Sequence, residues 1–137
     1  MIKVSVSKQS NFPVKSSLIK KRLRDFLTKE GIVSDCVVSV AIVGEAKMFE
    51  IGKKYLGDGI LHNVLSFVPG EERFVYGKAA SFAYPPDGKI YLGEIIVCYP
   101  KVVEEVKEES VLIDERACEL VEHGALHLLG KHHKEKI

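Results

Sequence analysis

A chain of 137 residues, 46% hydrophobic and 28% charged, has the length of one domain and an apolar content that excludes a disordered or low-complexity polymer. Twenty Lys and Arg stand against nineteen Asp and Glu, and a net charge of +1 excludes polyanion binding by bulk charge alone, though not a locally basic groove. Cys36, Cys98 and Cys118 are odd in number and form no CxxC pair, which excludes a disulfide framework or a cysteine zinc finger and reads as buried free thiols.

Ile2, Val4 and Val6 alternate with Lys3, Ser5 and Ser7, the period of a half-buried strand. The same alternation leaves no unbroken apolar stretch, so neither a secretory leader nor a membrane span is expected and the chain reads as cytoplasmic. Asn11-Phe12-Pro13 breaks the strand. Ser16 or Ser17 then offers a cap to a helix whose Leu18, Ile19, Leu23, Phe26 and Leu27 recur at helical spacing, with Gly31 placed to end it. The nearly continuous β-branched run from Val37 to Val43 suits a strand covered on both faces. A second helix is predicted from about Glu45 to Tyr55, stopping before Gly57-Asp58-Gly59.

Val64 to Val68 reads as a short strand closed by Pro69-Gly70, and residues 70–89 as a long connection without clear periodicity. Ile90 to Cys98 is a further strand, followed by a helix over about 101–109 with Pro100 in its first turn. Ser110 and Asp114 offer caps to a last helix that runs to about Leu129 and stops at Gly130. The alternation points to one α+β domain over residues 1–137, a small mixed sheet of about four strands packed with helices. Charge is uneven along it: residues 1–60 are net basic and 101–122 net acidic. Lys20, Lys21, Arg22 and Arg24 form the densest basic cluster, either a solvated helix face or a phosphate-facing patch.

Four of the five histidines fall in the last fifteen residues. His123 and His127 are one helical turn apart, about 40° around the axis, so two imidazoles share a face. Gly130 permits a left-handed turn, after which His133 reaches back toward the same point; His132 is the alternative third ligand. The spacing H-x3-H-x2-G-x2-H supplies three nitrogen ligands and leaves an open fourth position, which suits one zinc ion on a metal-binding C-terminal helix. A plain cluster of histidines at a helix C-terminus is the structural alternative. Metzincin proteases share this spacing but carry a glutamate after the first histidine as general base; here that residue is Gly124, which disfavours peptide hydrolysis. His62, before a strand, reads as a surface or supporting residue.

The segment His123-Gly124-Ala125-Leu126-His127-Leu128-Leu129-Gly130 with His133 resembles the signature H-G-x-L-H-L-x-G-Y-D-H of the YbeY family of bacterial endoribonucleases. Asn63-Val64-Leu65-Ser66-Phe67 resembles that family's T-D-V-L-S-F stretch, and Leu92-Gly93-Glu94-Ile95 its L-G-D-I. The resemblance implies a zinc-dependent endoribonuclease directed at single-stranded RNA, with ribosomal RNA and the small ribosomal subunit or its associated proteins as partners. It further implies maturation of the small-subunit RNA 3′ end and ribosome quality control. His123, His127 and His133 are then the metal ligands, with Ser66 expected to hydrogen-bond substrate or the metal-bound water, and Glu94 read either as a distant acid or base or as a partly exposed structural carboxylate. Leu56 stands where the family has an arginine, with Lys53, Lys54 and Lys131 as the nearby cations. Two other readings compete: a non-catalytic, zinc-stabilised ribosome-binding module, and a metal hydrolase of another substrate.

Overall fold

The computed structural model describes residues 1–68 and 90–130. Strand alternation and helical periodicity translate into β1 (Ile2–Lys8), α1 (Ser16–Lys29), β2 (Cys36–Val43), α2 (Glu45–Leu56) and β3 (Val64–Phe67). The chain continues through β4 (Ile90–Cys98), α3 (Tyr99–Glu109) and α4 (Ile113–Leu128). The expected connection over 70–89 lies outside the described residues.

The four strands form one mixed sheet in the order β1-β2-β4-β3. β1, β2 and β4 run parallel, and β3 closes one edge antiparallel to β4. This is the expected α+β domain. Helices α1, α3 and α4 cover one face over a core that includes Leu23, Leu27, Val38, Val40, Ile95, Leu120 and Leu128. The opposite face carries a smaller apolar cluster of Val43, Met48, Ile51, Leu65, Ile96 and Cys98 beneath α2. Successive residues of β4 therefore serve different layers, Ile95 and Val97 the first and Ile96 and Cys98 the second, as the two-residue period requires.

Three local expectations change. β2 is sealed on one face only: Cys36, Val38, Val40 and Ile42 are buried, while Val37, Ser39 and Ala41 stay half-buried because α2 reaches only the far end of the sheet. In the uncovered part, Ser5 donates to Ser39 at 3.2 Å and Ser39 meets the Tyr91 hydroxyl at 3.2 Å. Ser16 and Ser17 lie inside α1 and cap nothing; the N-cap is Lys15, whose backbone N–H donates to Asp114 Oδ1 at 3.0 Å. Asp114 thus closes the neighbouring helix and not its own, whose N-cap is Leu112. Ser110 adopts a left-handed φ of 56° and terminates α3. At α1 a tertiary contact from Asp114 stands where a local side-chain cap was expected.

All three cysteines are buried free thiols, as expected. Burial pushes the Cys118 thiol up to about 11 and raises Cys36 and Cys98 as well. Among the described residues no helix is long and apolar enough to cross a membrane.

Candidate metal centre and the sheet it rests on

Helix α4 owes its position to its buried stripe, Ala117, Cys118, Leu120, Val121, Gly124, Ala125 and Leu128, and to ion pairs along its flanks. Arg22 of α1 reaches Glu115 at 2.6 Å and Glu122 at 3.4 Å. Arg116 holds Glu105 of α3 at 2.7 Å and Glu119 at 3.2 Å, and Asn63 donates to the other Glu105 oxygen at 3.0 Å. The basic cluster of α1 is thereby divided: Arg22 binds the acidic helix, Lys21 pairs with Asp25 at 3.0 Å, and the cluster does not act as one phosphate-facing unit.

Close approach to the sheet fixes the middle of α4. A Cβ on Gly124 would lie 2.8 Å from Ile95 Cγ2 and 2.9 Å from Ser66 Oγ, so glycine permits this approach without displacing either side chain. A glutamate, the general base of the metzincin pattern, has no room there. Ser66 is buried, and its hydroxyl donates to the Gly124 carbonyl oxygen at 2.9 Å. Its proton is therefore committed to α4 and not to an external ligand. Gly93 is tighter still: its φ is 140°, and a Cβ would stand 2.3 Å from the Phe67 carbonyl oxygen and 2.8 Å from Leu128. The glycines of H-G-A-L-H and of L-G-E-I are thus both steric requirements of one helix–sheet contact.

Above that contact, His123 and His127 turn toward each other. Their Nε2 atoms are 3.0 Å apart and their rings meet nearly edge to face, with centroids 4.5 Å apart and planes at 84°. His127 is only 4% exposed. Two imidazole nitrogens ligating one tetrahedral zinc at about 2.0–2.1 Å lie roughly 3.3 Å apart, so the pair fits a shared ion with little adjustment. Gly130, with φ of 77°, donates its N–H to the His127 carbonyl at 3.0 Å and ends the helix as expected. Lys131, His132 and His133 lie outside the described residues, and among the described residues no three His, Cys, Asp or Glu side chains converge on a metal position.

Glu94 is not brought to the histidines. In register Ser66 pairs with Ile95 and Phe67 with Glu94, so Ser66 and Ile95 face α4 while Phe67 and Glu94 face the α2 side. Leu56, at the end of α2, packs against the apolar cluster of that same side. His62 contacts both Asp58 oxygens at 3.1 and 3.3 Å, and its ring lies against Gly52 of α2, organising the loop between α2 and β3. Sequence reading missed the Asn63–Glu105–Arg116 network and the α2 face formed by Lys47, Glu50, Ile51, Lys54 and Tyr55. The second had a readable signal, spacings of three, four and seven residues on one helix.

A four-stranded mixed sheet with three helices on one face, one on the other and a histidine pair on the last helix defines the class, a single α+β domain. The sequence profile described as Endoribonuclease YbeY matches residues 4–137, and the chain belongs to that family of RNA-cleaving hydrolases. Similar proteins include the Endoribonuclease YbeY of Roseiflexus castenholzii, 28% identical over 98% of this chain and 80% of the relative. That of Dehalococcoides mccartyi is 31% identical over 90% of this chain and 73% of the relative. The solution structure of TM1509 from Thermotoga maritima superposes with a TM-score of 0.55 and 26% identity, covering 98% of this chain and 75% of that one.

Proposed function

We propose that the protein is a zinc-dependent endoribonuclease specific for single strands, holding one ion through His123, His127 and His133. Its substrate is ribosomal RNA, and its role is maturation of the small-subunit RNA 3′ end and ribosome quality control at the small subunit in the cytoplasm. The convergence of His123 and His127 at 3.0 Å carries the reading, together with the family membership. A divalent ion held there supplies a Lewis acid for the charge that develops on a phosphoryl oxygen.

The chain's own residues have separable tasks. His127, buried on α4, fixes the inner limit of the site, and His123 completes the pair at its mouth. Ser66 acts as a positioning residue: it ties the carbonyl between the two histidines to β3 and holds the helix in register. Glu94 lies beside Phe67 on the other face of the sheet.

The test is metal content of the purified protein together with cleavage of a single-stranded RNA. His127→Ala is expected to lower zinc affinity at least ~100-fold and to abolish cleavage. Undiminished cleavage by the variant overturns the proposal. Because imidazole must be neutral to bind metal, zinc affinity is also expected to fall as pH drops below about 6.5. One observation favours a second reading, a non-catalytic ribosome-binding module: Leu56 buries an alkyl side chain where the family pattern has a guanidinium. Ribosome co-sedimentation by a protein that binds zinc but cuts no RNA would select it.

A further inference from the structure

The face of the sheet turned away from the histidines carries a groove of about 430 Å³ between α2 and the strands. That volume lies within the range of pockets that hold small organic groups, about 300–1,000 Å³. Ala41, Val43, Ile51 and Ile96 line it with apolar surface, and Tyr55 and Phe67 stand beside them edge to face, their centroids 5.1 Å apart. Lys47 is paired with Glu50 at 3.3 Å, and the Lys54 ammonium sits 5.0 Å from the Tyr55 ring centre. Glu94 differs from these: it lines the groove beside Phe67, its cross-strand neighbour, yet among the described residues it makes no hydrogen bond or ion pair.

An unpaired carboxylate on an apolar floor, an aromatic wall and a lysine at the rim complement a flat group with adjacent N–H donors and an attached anion. Among RNA bases, only guanine presents two neighbouring donors, N1–H and the N2 amine, on its Watson–Crick edge. Adenine and cytosine offer one amine beside an acceptor, and uracil one N–H between two acceptors. Single-stranded RNA is read by splaying such bases onto aromatic side chains and hydrogen-bonding their edges. We propose that this groove binds a guanine base of the RNA, with both Glu94 oxygens accepting from N1–H and N2–H, Tyr55 and Phe67 against the ring, and Lys54 facing the phosphate. This rests on the RNA-cleaving reading and adds to it a subsite that selects sequence on the face opposite the cut.

Guanosine, inosine and adenosine 5′-monophosphates test it, none of which an endonuclease can cut. Titrations are followed by NMR on the full chain. Guanosine monophosphate is expected to shift resonances of Tyr55, Phe67 and Ile96, and to bind about tenfold more tightly than inosine monophosphate, which lacks the N2 amine, or adenosine monophosphate. In Glu94→Gln, an exposed position that leaves the fold intact, the three affinities are expected to fall within twofold of one another. Equal binding by the unaltered protein overturns the proposal, as does a guanine preference that survives Glu94→Gln or shifts confined to His123 and His127. A dimer joined through this face, with no nucleotide effect, overturns it as well. RNA cleavage measured alongside separates the two readings. Cutting without guanine preference removes the subsite alone; guanine preference without cutting removes the nuclease and leaves the subsite.

Discussion

On the side of α1, α3 and α4, Val38, Val40, Leu92 and Ile95 are at most 2% exposed, whereas on the other side of the same strands Tyr91 is 38% exposed and Glu94 stands in solvent. Both faces come from one alternating sequence. The covered face is sealed by three helices whose apolar stripes match it, and its buried polar side chains among the described residues are Ser66 and His127. The α2 face is closed at one end only and keeps hydroxyls, a carboxylate and aromatic edges within reach of a ligand. The sealed side can hold imidazoles in a fixed relation, as a metal centre needs. The half-open side has the free surface that recognition needs.

Stability measurements that treat the two faces alike would break this contrast. The largest effect is expected at Gly93, where a Cβ meets backbone 2.3 Å away and the φ of 140° suits no L side chain. Gly93→Ala is expected to cost at least ~3 kcal/mol, read by urea denaturation, since a backbone carbonyl cannot step aside as a side chain does. Gly124→Ala comes next. Its Cβ would meet side-chain atoms of Ile95 and Ser66 at 2.8 and 2.9 Å, and these can shift. A loss of about 2 kcal/mol is expected, with zinc affinity lowered as α4 moves off the strands.

The elements and their order were legible in the sequence because each apolar stripe states its own period, and the helix ends at Gly57 and Gly130 follow from local chemistry. The histidine pair was legible for the same reason: His123 and His127 lie within one helix, where spacing alone fixes direction. Partners from distant segments were not. Asp114 caps α1 from 99 residues away, and Arg22 leaves the basic cluster for carboxylates that no local pattern connects to it. The side of the sheet that Glu94 faces was not legible either, because the order of motifs along a chain does not state it; the register with Phe67 does.

Two serines isolate the contrast at constant chemistry. Ser66 Oγ donates to the Gly124 carbonyl inside the sealed layer, while Ser39 Oγ exchanges hydrogen bonds with Ser5 and Tyr91 on the open one. Ser66→Ala removes a buried hydrogen bond and is expected to cost about 1 kcal/mol and, on the proposed metal site, to weaken zinc binding about tenfold, because the released carbonyl lies between His123 and His127 in the helix. Ser39→Ala is expected to change stability by less than ~0.5 kcal/mol and leave zinc affinity unaltered, since water replaces the lost partner for both neighbouring hydroxyls. Calorimetric zinc titration of the two variants, paired with their denaturation midpoints, distinguishes a hydroxyl that positions α4 from one that only decorates a sheet. Equal zinc affinities in the two variants would show that α4 keeps its register without β3.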